Sequence, residues 1–348
     1  MNFLKSISRN PFLLAAAIAI AMLLAGLPIV RSPLANAAGK GLDVEVPYEI
    51  NALKTPGITA PYYLQEKDDN ILVSDQAGGI FSVTFGGKVT EVAGKAKIKS
   101  PAGLAVGPAG FGTYAGQIFV LASTGDDKAP CEVERIDKSG AVSSFAKLPD
   151  AGAPASGCRD LEFGAAGGPF AGKLYAATSG NTSIYAIDSS GKATVFGTYD
   201  KPVQFDLTTI RFAPATDSKA ANQMLIGMRA TMAGASKVGR IAIVAPDGKM
   251  KDDVYLVGFI RPTGFAWSPS NFGSYGGDLF IADTGKLVAE SDNRDGGVYR
   301  VDKGLARPYA AGLMDPTDLK FFGKKIVICD PAEKGKGQGA IVIISSLL

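Results

Sequence analysis

The sequence predicts an all-β chain: a six-bladed β-propeller with four antiparallel strands per blade, its ring closed by an N-terminal strand that completes the last blade. A repeated stretch is the first observation behind this. Residues 262–285, PTGFAWSPSNFGSYGGDLFIADTG, run from an apolar strand through a Gly-rich loop to a second apolar strand ending in Asp-Thr-Gly. Further copies start at Pro101 and Arg159, a weaker one at Thr208 and a shortened one at Pro316. Their first apolar residues are Leu104, Leu161, Ile210, Phe265 and Leu319. They recur at intervals of roughly 50 residues, the period of a blade built from short strands.

The second observation is a recurring hairpin. Asp137-Lys-Ser-Gly140 separates CEVERI from AVSSFA, and Asp188-Ser-Ser-Gly191 separates SIYAI from ATVFGT. Pro246-Asp-Gly248 and Asp302-Lys-Gly304 punctuate two more pairs of apolar runs. Asp at the first corner bonds the backbone ahead of it, and Gly takes the left-handed corner. Gly86-Gly87 plays the same part in the first blade. These hairpins mark the outer two strands of five blades.

The third observation is the state of the two ends. In LDVEVPYEI, residues 42–50, Asp43 and Glu45 alternate with Val44 and Val46, which reads as a strand. Blade one follows as PYYL, NILVSD, GIFSVTF and KVTEVAG. The sixth blade has only DLKFF, KIVICD and AIVIISS before the chain ends. The spare strand around Val44–Val46 is expected to pair with residues 340–346 and protect an open edge. No helical period interrupts the pattern, so residues 38–348 read as a single propeller domain.

Residues 1–37 read as a secretory signal. Lys5 and Arg9 precede an apolar run at 12–30, and Ala35-Asn36-Ala37 supplies the small residues of a cleavage site. Cleavage is expected after Ala37, with a periplasmic or secreted product; membrane contact is expected only through this segment if it is kept. The chain has 36 basic and 33 acidic residues. Lys5, Arg9 and Arg31 leave with the signal, so the mature chain is balanced and carries no electrostatic footprint for nucleic acid. There is no histidine, which removes Ser-His-Asp and Cys-His catalysis and His-ligated metal. Of three cysteines, Cys131 and Cys158 begin strands on the same face of neighbouring blades. They are expected to form a disulfide in an oxidising compartment, leaving Cys329 as a buried thiol.

With the repeats laid out, the chain resembles the NHL-repeat and SMP-30/gluconolactonase-like six-bladed propellers. Pro262-Thr-Gly264 with Asp283-Thr-Gly285 matches the NHL pattern, and Pro101-Ala-Gly103 matches its first half. The lactonase branch of this resemblance implies one divalent metal over the channel, held by a Glu of an early Glu-Gly-Pro, two Asn and an Asp. Here the early triplet is Thr59-Ala60-Pro61. The strand-start positions that carry ligands in that branch hold Ala102, Thr263, Arg159, Thr208 and Thr317. Streptogramin-lyase-like and quinone-dehydrogenase-like propellers rely on histidine, which this chain lacks.

First-strand starts and second-strand ends share one face of a propeller, the top. It should collect Arg159, Asp160, Asp206, Arg261 and Asp318 from the former, and Asp75, Arg229, Asp283 and Asp330 from the latter. Opposed Arg and Asp around a channel mouth suit a polar or anionic ligand. Asp75, Asp283 and Asp330 also sit where an Asp caps a turn. Asp160 and Asp318 stand where other blades have Gly, and are the residues expected to hold a metal if there is one. The acidic run Glu290, Asp292, Asn293 and Asp295 reads either as a calcium loop or as a solvated loop. Phe111, Tyr114, Phe170, Phe272 and Tyr275, on the opposite face, form either an aromatic rim or the filling between blades. Two functions fit these residues. One is an exported module that binds a small-molecule or protein ligand through the top face of the channel. The other is a metal-dependent, lactonase-like hydrolase with non-standard Asp ligands. No cofactor is expected beyond one divalent cation, calcium.

Overall fold

The structure is a computed structural model, and it describes residues 48–123, 130–151, 153–199, 205–230, 239–285, 296–331 and 339–346. These residues form six four-stranded antiparallel sheets. The helical elements among them are two single 3-10 turns, Gly112–Tyr114 and Gly273–Tyr275. Five sheets take their strands in chain order. Each first strand packs against that of the next blade, and blade six returns to blade one. The first strands are Pro61–Lys67, Pro101–Val106, Cys158–Phe163, Phe205–Phe212, Pro262–Trp267 and Asp318–Phe322.

Ring closure is made by an N-terminal strand completing the last blade, as expected, but through Tyr48–Leu53 rather than around Val44–Val46. Tyr48–Leu53 lies outside residues 340–346 as the fourth strand of blade six, with Tyr48 opposite Ser346 and Leu53 opposite Ile341. Val44–Val46 lie outside the described residues. Each of residues 341–346 has its partner within 48–53. Ile341, Val342, Ile343 and Ile344 are all buried. Without this partner they would present an apolar, unpaired edge.

The apolar core is a set of wedges between neighbouring blades. Phe111, Phe119, Leu121 and Val133 of blade two meet Leu161, Leu174, Tyr185 and Ile187 of blade three. Tyr175 and Ile184 of blade three meet Ile210, Met224 and Ile226 of blade four. Ile71 and Val73 of blade one meet Val327, Ile341 and Ile343 of blade six. The loop aromatics fill the outer ends of such wedges. Phe111 is edge-on to Phe163 at 4.7 Å, Phe170 tilted against Phe212 at 4.9 Å, and Phe272 edge-on to Phe321 at 5.1 Å. In each case a loop of one blade packs on the first strand of the next. All three loop Phe are buried, so they belong to the packing and make no exposed rim.

Polar bonds repeat from joint to joint. The Thr208 hydroxyl donates to the Pro262 carbonyl, Thr263 to Pro316 at 2.5 Å and Thr317 to Tyr62 at 2.7 Å. The strand-start threonines are thus latches between consecutive blades. The hairpins follow turn chemistry: Asp137 Oδ1 accepts from the Ser139 and Ala141 amides at 2.8 and 3.0 Å, and Gly140 has φ 80°. Cys131 and Cys158 are disulfide-bonded with Cα atoms 5.6 Å apart, tying blade two to blade three. Cys329 is a buried free thiol.

Candidate functional site

Alternation along a strand places every second side chain on one face. The residues just before the wedge residues Leu64, Leu104, Leu161, Ile210, Phe265 and Leu319 are Tyr63, Gly103, Asp160, Thr209, Gly264 and Asp318. Two positions further on stand Gln65, Ala105, Glu162, Arg211, Ala266 and Lys320. Bonds across the ring show that these two layers meet in the channel. The Tyr63 hydroxyl donates to the Thr208 carbonyl at 3.0 Å, from blade one to blade four. Lys320 of blade six donates to Gln65 of blade one at 2.6 Å and to Glu162 of blade three at 3.0 Å.

The channel has an approximate twofold plan. Blades one to three contribute Tyr63, Gly103 and Asp160, and blades four to six contribute Thr209, Gly264 and Asp318. The glycines are required by close approach. A Cβ at Gly103 would lie 2.2 Å from Leu161 N, and one at Gly264 2.5 Å from Leu319 N. In both halves the strand carrying the aspartate presses on its glycine neighbour.

Arg211 binds the two halves together. One guanidinium nitrogen donates to Asp160 and the other to Asp318 Oδ1 at 2.6 Å. Glu162 lies 3.6 Å from the first nitrogen. Arg211 is 6% exposed, Asp160 1% and Asp318 0%. Asp160 Oδ2 also accepts from Thr209 Oγ1 at 2.7 Å and Ile210 N at 2.9 Å, and its Oδ1 accepts from Leu161 N at 2.8 Å. Asp318 accepts from Leu64 N at 3.0 Å and Leu319 N at 2.9 Å. Each aspartate therefore also bonds the backbone of the following blade. Burial alone would lower the Arg211 pKa, but Asp160, Asp318 and Glu162 reverse this and hold it above its ordinary value. Burial pushes the Asp318 carboxyl up to about 6, with Arg211 and Lys320 pulling against it and Asp160 adding to it. Burial and then Asp160 hold the Tyr63 phenol well above its usual range.

A divalent cation needs several oxygen ligands turned toward it. All four carboxylate oxygens of Asp160 and Asp318 are instead turned to N–H or O–H donors, and a guanidinium stands between the two groups. Among the described residues no group of three or more His, Cys, Asp or Glu is arranged to hold a metal. The expectation of a metal at Asp160 and Asp318 does not fit this geometry. The acidic run from Glu290 to Asp295 lies outside the described residues.

The remaining top-face residues fall into two sets. Asp75 accepts from the amides of Thr59, Ala60 and Ala77, Asp283 from those of Ile260, Arg261 and Gly285, and Asp330 from those of Met314 and Asp315. Each pins the loop entering its blade to the end of the second strand. The second set is Arg159, Arg261 and the Asp206–Arg229 pair. Arg229 and Asp206 are joined at 2.7 Å, and both are partly exposed. Arg159 of blade three donates to the Tyr62 hydroxyl of blade one, 3.3 Å away. Burial opposes its charge, while Tyr62, Tyr63 and Asp206 support it and leave its pKa raised. The buried Nε atoms of Arg159 and Arg261 have no hydrogen-bond partner among the described residues. The structure thus joins Asp160 and Asp318 through Arg211, joins Asp206 to Arg229, and sets Asp283 and Asp330 apart as caps.

No family model and no curated protein matches the chain. Solved structures do match. A gluconolactonase from Xanthomonas campestris aligns with TM-score 0.61 and 14% identity over 92% of this chain and 96% of that one. The soluble aldose sugar dehydrogenase of Escherichia coli aligns with TM-score 0.55 and 11% identity, over 86% and 100%. A catalytically inactive histidine-to-alanine variant of Staphylococcus aureus virginiamycin B lyase aligns with TM-score 0.52 and 15% identity, over 86% and 99%. At these identities the likeness is one of fold: the chain shares the propeller fold of gluconolactonase-like proteins.

Proposed function

We propose that the chain is an exported NHL/SMP-30-like propeller that works as a binding module, taking an anionic small molecule or an acidic protein segment at the top mouth of its channel. Arg159 carries this reading: its guanidinium donates to a tyrosine hydroxyl and forms no ion pair with a carboxylate among the described residues. Guanidinium groups suit carboxylate and phosphate. Arg229, held by Asp206, stands on the same rim. Below it the Asp160–Arg211–Asp318 bridge links blades three, four and six and would give the mouth a polar floor.

The hydrolase alternative needs Asp160 and Asp318 free for a metal, and both are engaged by Arg211. The lyase neighbour is inactive without its histidine, and this chain has none. The binding reading is therefore preferred. Isothermal titration with citrate, gluconate and inorganic phosphate tests it. At least one should bind the wild-type chain, and R159A and R261A should weaken that binding by about tenfold or more, the effect of about 1.4 kcal/mol. No binding by any of the three, or binding that both variants leave intact, would overturn it.

A further inference from the structure

Two carboxylates buried in a channel need a positive charge or a proton between them. In this chain the charge comes from the polypeptide. We infer that Arg211 is a built-in substitute for a channel cation: its guanidinium makes the propeller independent of metal, and removing it uncovers a divalent-cation site at Asp160 and Asp318. The inference does not depend on what binds at the mouth.

Three features lead to it. The two guanidinium nitrogens contact one carboxylate each, on blades three and six. The cation thus bridges opposite halves of the ring, as a metal ion between two carboxylates would. Glu162 lies beside the same nitrogen at 3.6 Å, so a third carboxylate is close. Finally, Arg211 Nε is buried with no hydrogen-bond partner among the described residues. The site meets the charge at both ends of the guanidinium, a further N–H donates to the Ile210 carbonyl at 2.7 Å, and Nε–H is unmet among the described residues. The two carboxylate contacts are those that any cation bridging two anions would make.

With Arg211 in place its guanidinium holds Asp160 Oδ2 and Asp318 Oδ1, and the carboxylates form no metal cage. Truncating the side chain frees one acceptor position on each of these oxygens, while their bonds to backbone N–H groups and Thr209 remain, and leaves Lys320, bonded to Glu162, as the neighbouring cation. A hard divalent ion with carboxylate and water ligands suits those positions.

The test uses the full mature chain at neutral pH with Mn²⁺ as the probe, followed by thermal shift and titration calorimetry. The wild type should show no saturable Mn²⁺ binding in its channel and no change in Tm with EDTA. R211A should melt lower, recover with millimolar Mn²⁺, and bind one ion at least about tenfold tighter than the wild type does; the D160N/R211A variant should lose that binding. Folded R211A that takes up no Mn²⁺ would overturn the inference, as would wild-type Mn²⁺ binding that D318N abolishes. If R211A folds only when refolded with Mn²⁺, the inference is supported. If it does not fold at all, R211K decides. A folded R211K without Mn²⁺ binding supports the inference, and an unfolded R211K overturns it, because charge alone would then not meet the need of the site.

Discussion

Arg211 and Asp318, on blades four and six, meet in the channel at 2.6 Å with both side chains buried. The bond makes the middle of the ring a polar joint. Removing one partner of a buried ion pair leaves an uncompensated charge and costs about 3–5 kcal/mol. R211A is therefore expected to lower stability by about that much in metal-free buffer. The triple variant D160N/R211A/D318N, which removes the charges together, should lose less. Urea unfolding of the three proteins checks this; equal losses in both variants would contradict it.

Asp318 also sets a pH dependence. Its folded-state pKa is raised to about 6, chiefly by burial, above the usual carboxylate value. The folded chain therefore holds a proton that the unfolded chain releases. The resulting stabilisation is present below about pH 4 and is lost as pH rises through about 6. Glu134, raised to about 7 by burial and then by Glu132, acts with the same sign. Wild-type Tm should carry a downward contribution between about pH 5 and pH 7. The contribution should shrink in D318N and in E134Q. Variants that retain the full slope would refute the assignment.

The disulfide joins strands of neighbouring blades across a sequence separation of 27 residues. Closing a loop of that size is worth about 2–4 kcal/mol. C131S and C158S should each lose about that amount, and reducing agent should bring the wild type to the same Tm. A wild type indifferent to reduction would show that the bridge contributes nothing.

Tyr48–Leu53 covers the edge of residues 340–346. Deleting residues 38–53 should remove cooperative melting and expose an aggregation-prone strand. Size-exclusion chromatography and circular dichroism check this. A soluble truncated chain with unchanged melting would show that closure is dispensable.

The fold was legible in the sequence because each blade repeats the same local chemistry. The Gly140 and Gly191 turns, the Asp-Thr-Gly end at Asp283 and the spacing of Leu104, Leu161 and Phe265 all give local signals. Asp160 and Asp318 also stood out, because they break a glycine position. Their partner did not. Arg211 lies on a third strand, in the weakest copy of the repeat, and nothing near it in sequence announces a carboxylate. Glu162 and Lys320 follow Asp160 and Asp318 by two residues, and that period-two relation could have placed them in the channel. The closing strand begins at Tyr48, inside the stretch 42–50 read from the sequence, and runs on to Leu53, because the Asp43–Val46 alternation marks a strand without fixing which residues face 341–346.

On this proposal a guanidinium, in place of a metal, neutralises the aspartates of the channel. Elemental analysis of the mature protein, purified without chelator, tests it most directly. The expected result is no divalent ion in stoichiometric amount, in the wild type and in D318N alike. One tightly held divalent ion per chain, lost in D318N, would contradict it.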